Sequence, residues 1–388
     1  MKDTAYFDVT SCDLAEFARL TGQSLSASDL RFASAVEQNV PVYDVASLQA
    51  TLGDPAQRAE LLAEWGFVLG QSAGVVALKG AFADTAPIDA ATAVFESIIT
   101  RESEAGLGAG DHFAKAGSNA RIWNSLQKHC MEDPEGFALY YGNAAIAAVC
   151  EAWLGPFYQM TAQVNLVRPG GQAQSAHRDY HLGFQTAEVA ARFPAHVHDL
   201  SAVMTLQGAV AHCDMPIESG PTKLLPFSQL FRPGYMAYRR EDFRDFFEEH
   251  YIQLPLAKGD AVFFNPALFH AAGENRSGNV ERMANLLQVS SAFGRAMETV
   301  DRTAMCRTLY PAIQALRAAG RLGDESLAAA VAAAAEGYSF PTNLDSDPPL
   351  GGLAPETQNA LFHRALSEEL SPEAFAQALA DQDARRQP

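Results

Sequence analysis

Between Phe157 and Val167 the chain alternates without a break, with Gln159, Thr161, Gln163 and Asn165 at odd positions and Met160, Ala162, Val164 and Leu166 at even ones. Successive side chains of a strand point to opposite faces, so the stretch predicts a strand with one apolar and one polar side. The polar side either meets solvent, as in a half-exposed sheet, or lines a pocket. Because the strand leads straight into a cluster of ionisable residues, Gln163 and Asn165 are expected to line a pocket.

That cluster is Ser-Ala-His-Arg-Asp-Tyr-His-Leu-Gly-Phe, residues 175–184. In extended backbone His177 and Asp179 project from one face, an imidazole beside a carboxylate. A third ligand type ends a later apolar run, Ala261 through Phe269, which closes on His270. Two imidazoles and one carboxylate leave about three positions of an octahedron open, the arrangement used by non-haem Fe(II) oxygenases. Arg282 opens the next extended run, Met283 to Val289, and an arginine there can clamp a carboxylate bidentately. Arg276 competes for that role, but Asn275-Arg276-Ser277-Gly278 reads as a turn. His181 falls on the side of Asp179 and is a candidate to support the ligands or touch substrate. Lys115 and Arg121 are substrate candidates on a polar, aromatic stretch, Asp111 to Asn124, read as a loop at the mouth of the site.

Two rival clusters are weaker. His212-Cys213-Asp214 repeats the spacing but runs into the Glu218-Ser219-Gly220-Pro221 turn, which Asp214 more naturally organises. His196 and His198 sit in a stretch read as a connection, where solvated histidines are commoner than ligands. No cysteine lies near the proposed ligands, which argues against a closed zinc site.

Further strands are expected at 200–211, 222–225, 252–256, 261–265 and 283–291, and shorter ones at Gly66–Gly70 and Gly74–Lys79. Many short strands separated by turns suggest a double-sheet jelly roll. Helical patterns occupy Ala27–Gln38, Pro55–Trp65, Ala86–Glu102, Pro134–Gly155, Gly234–His250 and most of the chain beyond Arg302. The expected fold is α+β, a jelly-roll core (double-stranded β-helix) with helical N- and C-terminal additions. Its divisions are a mostly helical region 1–156, a core 157–295 and a helical extension 296–388, packed as one unit.

The order of His177-Arg178-Asp179, Glu218 through Pro226, Lys258-Gly259-Asp260 through His270, and Arg282 resembles the phytanoyl-CoA dioxygenase family. The resemblance implies an Fe(II)- and 2-oxoglutarate-dependent dioxygenase that hydroxylates or otherwise oxidises a small metabolite, with dioxygen as cosubstrate and succinate and carbon dioxide as coproducts. It implies His177, Asp179 and His270 as iron ligands, and Arg282 as the clamp on the far carboxylate of 2-oxoglutarate. The presence of Asp179 points to oxygen transfer; related halogenases carry a small residue there. One departure stands out: Phe227 and Gln229 replace the glycine and histidine of a Gly-Ser-His-like turn. The alternative reading is a jelly-roll protein that binds metal or ligand without catalysis.

Composition narrows the partners. A formal charge of −18 excludes a general surface for nucleic acid or anionic membranes, which need clustered Lys and Arg. The same charge disfavours a large anionic substrate, although Lys115, Arg121, Arg168 and Arg178 could form a local basic patch. Five cysteines without a CxxC pair suit packed thiols in a reducing compartment, and no leader or long apolar run is evident. The expectation is a cytoplasmic protein.

Overall fold

The computed structural model describes residues 5–106 and 119–388. Among them are strands β1 (Ala35–Glu37), β2 (Val40–Asp44), β3 (Val75–Lys79), β4 (Asn119–Ile122), β5 (Gln159–Val167), β6 (Thr205–Ala211), β7 (Lys223–Leu225), β8 (Ala261–Phe264), β9 (Phe269–Ala271) and β10 (Arg282–Ser290). Eight of them form one mixed sheet in the order β1-β2-β3-β8-β6-β10-β5-β4, and β7 pairs with β9 separately. Only the β2–β3 pairing is parallel among the described strands. The β7–β9 ladder is widened by isolated bridges, His177 to His270 on one side and Leu224 to Ile252 on the other. Residues 252–256, expected as a strand, contribute only bridges.

The large sheet separates two environments. Met160, Ala162, Val164, Leu206, Val210, Phe263, Leu287 and Val289 face the helices, in the largest core. Helices Arg302–Ala318, Asp324–Ala334 and Gln358–Ser367 bury Met305, Leu309, Leu327 and Phe362 in that same core. On the opposite face Val75, Ala77, Ala209, Ala211, Val262 and Phe264 meet Leu224 of the small ladder and Leu268. Four strands of the sheet, β1 to β4, come from the region ahead of residue 157.

Several local expectations are corrected. Gly66–Gly70 is the end of a helix, Pro55–Gln71, capped by Asp54, whose carboxylate accepts the N–H groups of Ala56 and Gln57. Leu61, Trp65, Val68 and Leu69 make its buried stripe. Its glycines are there for close approach: a Cβ on Gly66 would lie 3.2 Å from the Ala152 carbonyl oxygen and one on Gly70 3.0 Å from the Trp153 ring. Ala27–Gln38 is a 3-10 turn followed by β1, because Gln38 and Asn39 adopt φ of 50° and 67° and turn the chain directly into β2. The Pro134–Gly155 pattern is two helices, Pro134–Tyr141 and Ala144–Leu154, the second capped by Asn143. Residues 195–203 are helical, with Ala195, His198 and Ser201 buried on one side, and the strand begins only at Thr205. Asn119–Ile122, expected in a loop, is an edge strand on β5. No helix among the described residues is long and apolar enough to cross a membrane.

Candidate metal centre

His177 and His270 form a bonded pair: each backbone N–H donates to the other's carbonyl, at 3.0 and 3.2 Å. Directly opposed residues of an antiparallel pair point to the same side, and the two imidazoles lie with ring centroids 4.5 Å apart. Asp179, two residues on, donates its N–H to the Pro266 carbonyl at 3.1 Å and returns to the same face. Its carboxylate oxygens lie 3.7 Å from His177 Nε2 and 3.4 Å from His270 Nε2. One ligand atom from each residue falls within 4.8 Å of the others.

Both imidazoles are oriented from behind. His177 Nδ1 sits 2.8 Å from the Ser175 carbonyl oxygen and His270 Nδ1 2.8 Å from that of Leu268. With Nδ1–H donating to a carbonyl, Nε2 carries the lone pair, the tautomer a metal requires. Burial pushes the Asp179 carboxyl up, but the two histidines and a hydrogen bond from Gln207 outweigh it and hold the group below the usual carboxylate range. Burial, reinforced by the neighbouring His270, pushes His177 down. An ionised carboxylate takes up a divalent cation without first shedding a proton. Metal–ligand bonds of about 2.1 Å put neighbouring ligand atoms roughly 3 Å apart in an octahedron, so slight closure of the trio suffices. The residues fit a metal.

Gln207 comes from the middle of β6 and donates through Nε2 to Asp179, which fixes the side of the large sheet that faces the triad. Register carries that side outward from Gln207. Gln288 is its cross-strand partner on β10, and Asn165 and Gln163 of β5 pair with Ala284 and Leu286. The polar face of β5 therefore looks toward the triad. Gln163 donates to Gln288 at 3.1 Å and accepts from Arg121 at 3.3 Å, while Arg121 stacks on Trp123 at 5.0 Å. Asn165 Oδ1 and Gln207 Oε1 are buried and have no hydrogen-bond partner among the described residues.

Arg282 opens β10 on this same face, paired with Val167. Its guanidinium donates to the carbonyls of Ser219 at 2.9 Å and Gly273 at 3.3 Å. No carboxylate among the described residues pairs with it, and burial lowers its pKa only to about 10, so it stays charged at neutral pH. Arg276 lies at the surface beside Glu274, in the turn expected of it.

His181 begins a 3-10 turn after the triad at φ 44°, and its Nδ1 is buried without a partner; it does not join the three ligands. Lys115 lies outside the described residues. Arg178 does not belong to a basic patch: alternation turns it away from the triad into the interior. There it donates to the carbonyls of Ser228 and Phe231 and lies over the rings of Tyr235 and Phe269. Arg168 pairs with Glu281 at 3.3 Å.

The rival clusters are engaged elsewhere. His212 points to the helix side, 2.8 Å from the Thr92 hydroxyl and 2.9 Å from that of Tyr140, and Asp214 accepts the Lys258 N–H. His198 lies in a helix, its Nε2 3.1 Å from the Ala190 carbonyl oxygen. Phe227 occupies the left-handed conformation, φ 67°, at the place where the resemblance expects glycine, and Gln229 donates to the Ser72 carbonyl at 2.7 Å. Gln207 escaped the sequence reading, although a single amide among the apolar residues of β6 was the available signal.

The family model described as "Phytanoyl-CoA dioxygenase (PhyH)" matches residues 70–284. Among curated proteins, "Dioxygenase andF" of Emericella variicolor is 26% identical over 139 residues, 35% of this chain and 43% of the relative. "Dioxygenase trt7" of Aspergillus terreus is 27% identical over 139 residues, 36% of this chain and 43% of the relative. The chain thus spans about two-fifths of the length of the curated relatives it matches. Solved structures resembling it include the α-ketoglutarate-dependent epimerase SnoN from nogalamycin biosynthesis (19% identity, TM-score 0.41, 62% of this chain and 84% of that one). Another is HygX from Streptomyces hygroscopicus with nickel, 2-oxoglutarate and hygromycin B bound (14% identity, TM-score 0.43, 61% and 90%).

Proposed function

The chain belongs to the phytanoyl-CoA dioxygenase family, and from that membership we propose that it is an Fe(II)- and 2-oxoglutarate-dependent dioxygenase oxidising a small metabolite. The observation that carries the reading is the convergence of His177, Asp179 and His270 within 4.8 Å, with Arg282 charged on the sheet face that looks toward them. When bound, iron and 2-oxoglutarate supply the oxidant that breaks a substrate C–H bond, with succinate and carbon dioxide released. In this reading the large sheet and the β7–β9 ladder are the two walls of a jelly roll. Residues 157–295 carry His177, Asp179, His270 and Arg282, while region 1–156 adds four strands to the large wall and 296–388 packs behind it. The free cysteines suit a cytoplasmic setting.

The chain's own residues have four tasks. His177, Asp179 and His270 hold the metal from one side and leave the other open for cosubstrate and dioxygen. The carbonyls of Ser175 and Leu268 and the amide of Gln207 keep those ligands aimed. Arg282, steadied by two carbonyls, presents its remaining donors to the distal carboxylate of 2-oxoglutarate. Gln163 and Asn165 extend polar contacts along β5 for the rest of that molecule, and Arg121 and His181 border the substrate. The apolar residues behind them, among them Phe264 and Leu268, limit water at the reacting centre.

The test is an anaerobic titration with Fe(II) and 2-oxoglutarate, followed by oxygen exposure and succinate measurement. A visible charge-transfer band and succinate formation are expected. Iron binding without the band would leave a metal-binding protein and end the oxygenase reading.

A further inference from the structure

Arg178 stands between two candidate ligands with its side chain turned the other way, and it is among the largest fully buried residues of the chain. Its seat is closely fitted at both ends. A Cβ on Gly234 would overlap the guanidinium, and one on Gly183 would overlap the Arg178 carbonyl. The rings of Tyr235 and Phe269 lie 5.1 and 5.4 Å from the guanidinium carbon. It has no carboxylate partner among the described residues, and its Nε is buried without a hydrogen bond. A buried charge without a counter-charge is less favourable than an apolar side chain of similar volume. Packing alone therefore does not account for arginine here.

What the guanidinium does is join segments of the chain. Its Nη2 donates to the carbonyls of Ser228 at 2.7 Å and Phe231 at 2.9 Å, at the two ends of a 3-10 turn, Ser228–Leu230. The Ser228 hydroxyl, fully buried, accepts the Phe269 N–H at 2.7 Å and donates to the Leu225 carbonyl at 2.6 Å. Phe269 immediately precedes His270. The turn is itself held in place: Phe227 donates its N–H to the Ala73 carbonyl at 3.0 Å, and Gln229 donates to that of Ser72 at 2.7 Å. One anchored turn thus takes a bond from the segment carrying His177 and Asp179 and another from the segment carrying His270. At the front the two segments meet through the reciprocal His177–His270 backbone bonds. Arg178 and Ser228 close the ring from behind.

We infer that Arg178 and Ser228 are positioning residues for the metal centre: Nη2 of the one and the hydroxyl of the other hold both ligand-bearing segments to a single turn, and so set the spacing between Asp179 and His270. This rests on the metal-centre part of the reading above and not on its oxygen chemistry. The spacing matters because Asp179 lies 3.4 Å from His270 Nε2, close to the roughly 3 Å of neighbouring ligands in an octahedron. A site is productive only when its groups are held within about 0.5 Å. Both residues act through the backbone, without touching the metal.

The experiment titrates the full chain, freed of metal, with Co(II), whose visible d–d bands report ligand geometry. Wild type, Arg178→Met, Ser228→Ala and the double variant are compared for Co(II) Kd, the d–d spectrum at saturation and the metal-free thermal midpoint. Methionine keeps an unbranched apolar stem and removes the donors. Each single variant should weaken Co(II) binding roughly 10-fold, in the range of supporting contacts. The spectrum of the saturated site should also change, recorded well below the midpoint, where unfolding contributes nothing. Because both residues act through one turn, the double variant should bind nearly as well as the weaker single one. Wild-type affinity and spectrum in both single variants would overturn the inference. So would additive losses in the double variant, or affinity lost in step with the midpoint under an unaltered spectrum. If Arg178→Met does not fold, Ser228→Ala decides by affinity and spectrum alone. Wild type that takes up no Co(II) is a different result, because it removes the metal centre itself and this inference with it.

Discussion

Gln207 reaches across from the centre of the large sheet to donate a hydrogen bond to Asp179, tying the candidate metal centre to a strand remote from it in sequence. The bond holds the carboxylate between two imidazoles and satisfies an oxygen that would otherwise compete for a proton. Replacing Gln207 with methionine keeps the volume and removes the donor. Fe(II) affinity should fall roughly 10-fold, within the range such supporting contacts contribute, with circular dichroism unchanged. Isothermal titration under anaerobic conditions reads it, and an affinity equal to wild type would mean the bond is incidental.

Asp179→Asn tests the ligand itself. The amide retains the shape but removes the charge that offsets a divalent cation, so Fe(II) binding should weaken by at least about 100-fold, more than for loss of a supporting contact. Chelator treatment of wild type should abolish succinate formation, and added Fe(II) should restore it in wild type but not in this variant.

Arg282→Lys tests the proposed cosubstrate clamp apart from the metal. Lysine preserves a positive charge yet cannot hold two carbonyls and a carboxylate in one plane. The KM for 2-oxoglutarate should rise roughly 10- to 100-fold, equivalent to one charge-assisted hydrogen bond, while Fe(II) affinity stays within error. Steady-state kinetics against 2-oxoglutarate reads the change, and an unaltered KM would transfer the role to another cation.

Acid should destabilise the fold through two buried histidines on the helix side of the sheet. His129 lies among Phe95, Phe137, Tyr140 and Tyr141 with neither ring nitrogen hydrogen-bonded, and burial lowers its pKa to about 4. Burial likewise takes His212 down to about 3. Both are neutral when folded and take up a proton near pH 6.5 when unfolded. Their contribution is therefore complete above pH 6.5 and is lost as pH falls toward 4 and 3. For His129 the loss is on the order of 3 kcal/mol. Urea unfolding across pH 7 to 4 should show a steeper decline in wild type than in His129→Phe, and parallel curves would contradict it.

Gly70→Val should cost about 1–3 kcal/mol, since the added atoms enter the space held by the Trp153 ring. A lowered urea midpoint with unchanged 2-oxoglutarate binding is the expected pair of results, because this helix contact lies on the far side of the sheet from the triad.

What could be read from the residues was local. Strand alternation put His177 and Asp179 on one face and Gln163 with Asn165 on another, and a period of two holds wherever the backbone is extended. The basic patch expected to include Arg178 overlooked that same rule, which turns Arg178 away from His177 and Asp179 and into the interior. The start of a helix at Pro55 was legible too. Helix and strand were confused at Gly66–Gly70 because a short apolar run carries no period of its own, and only the neighbouring Ala152 and Trp153 explain its glycines. Phe227 at a positive φ, and the strand rather than loop at Asn119–Ile122, likewise depend on neighbours far along the chain. The three candidate ligands and their order were thus legible in the sequence. Which distant groups meet them, such as Gln207 on Asp179, was decided by strand order and register, which bring together residues that no local pattern connects.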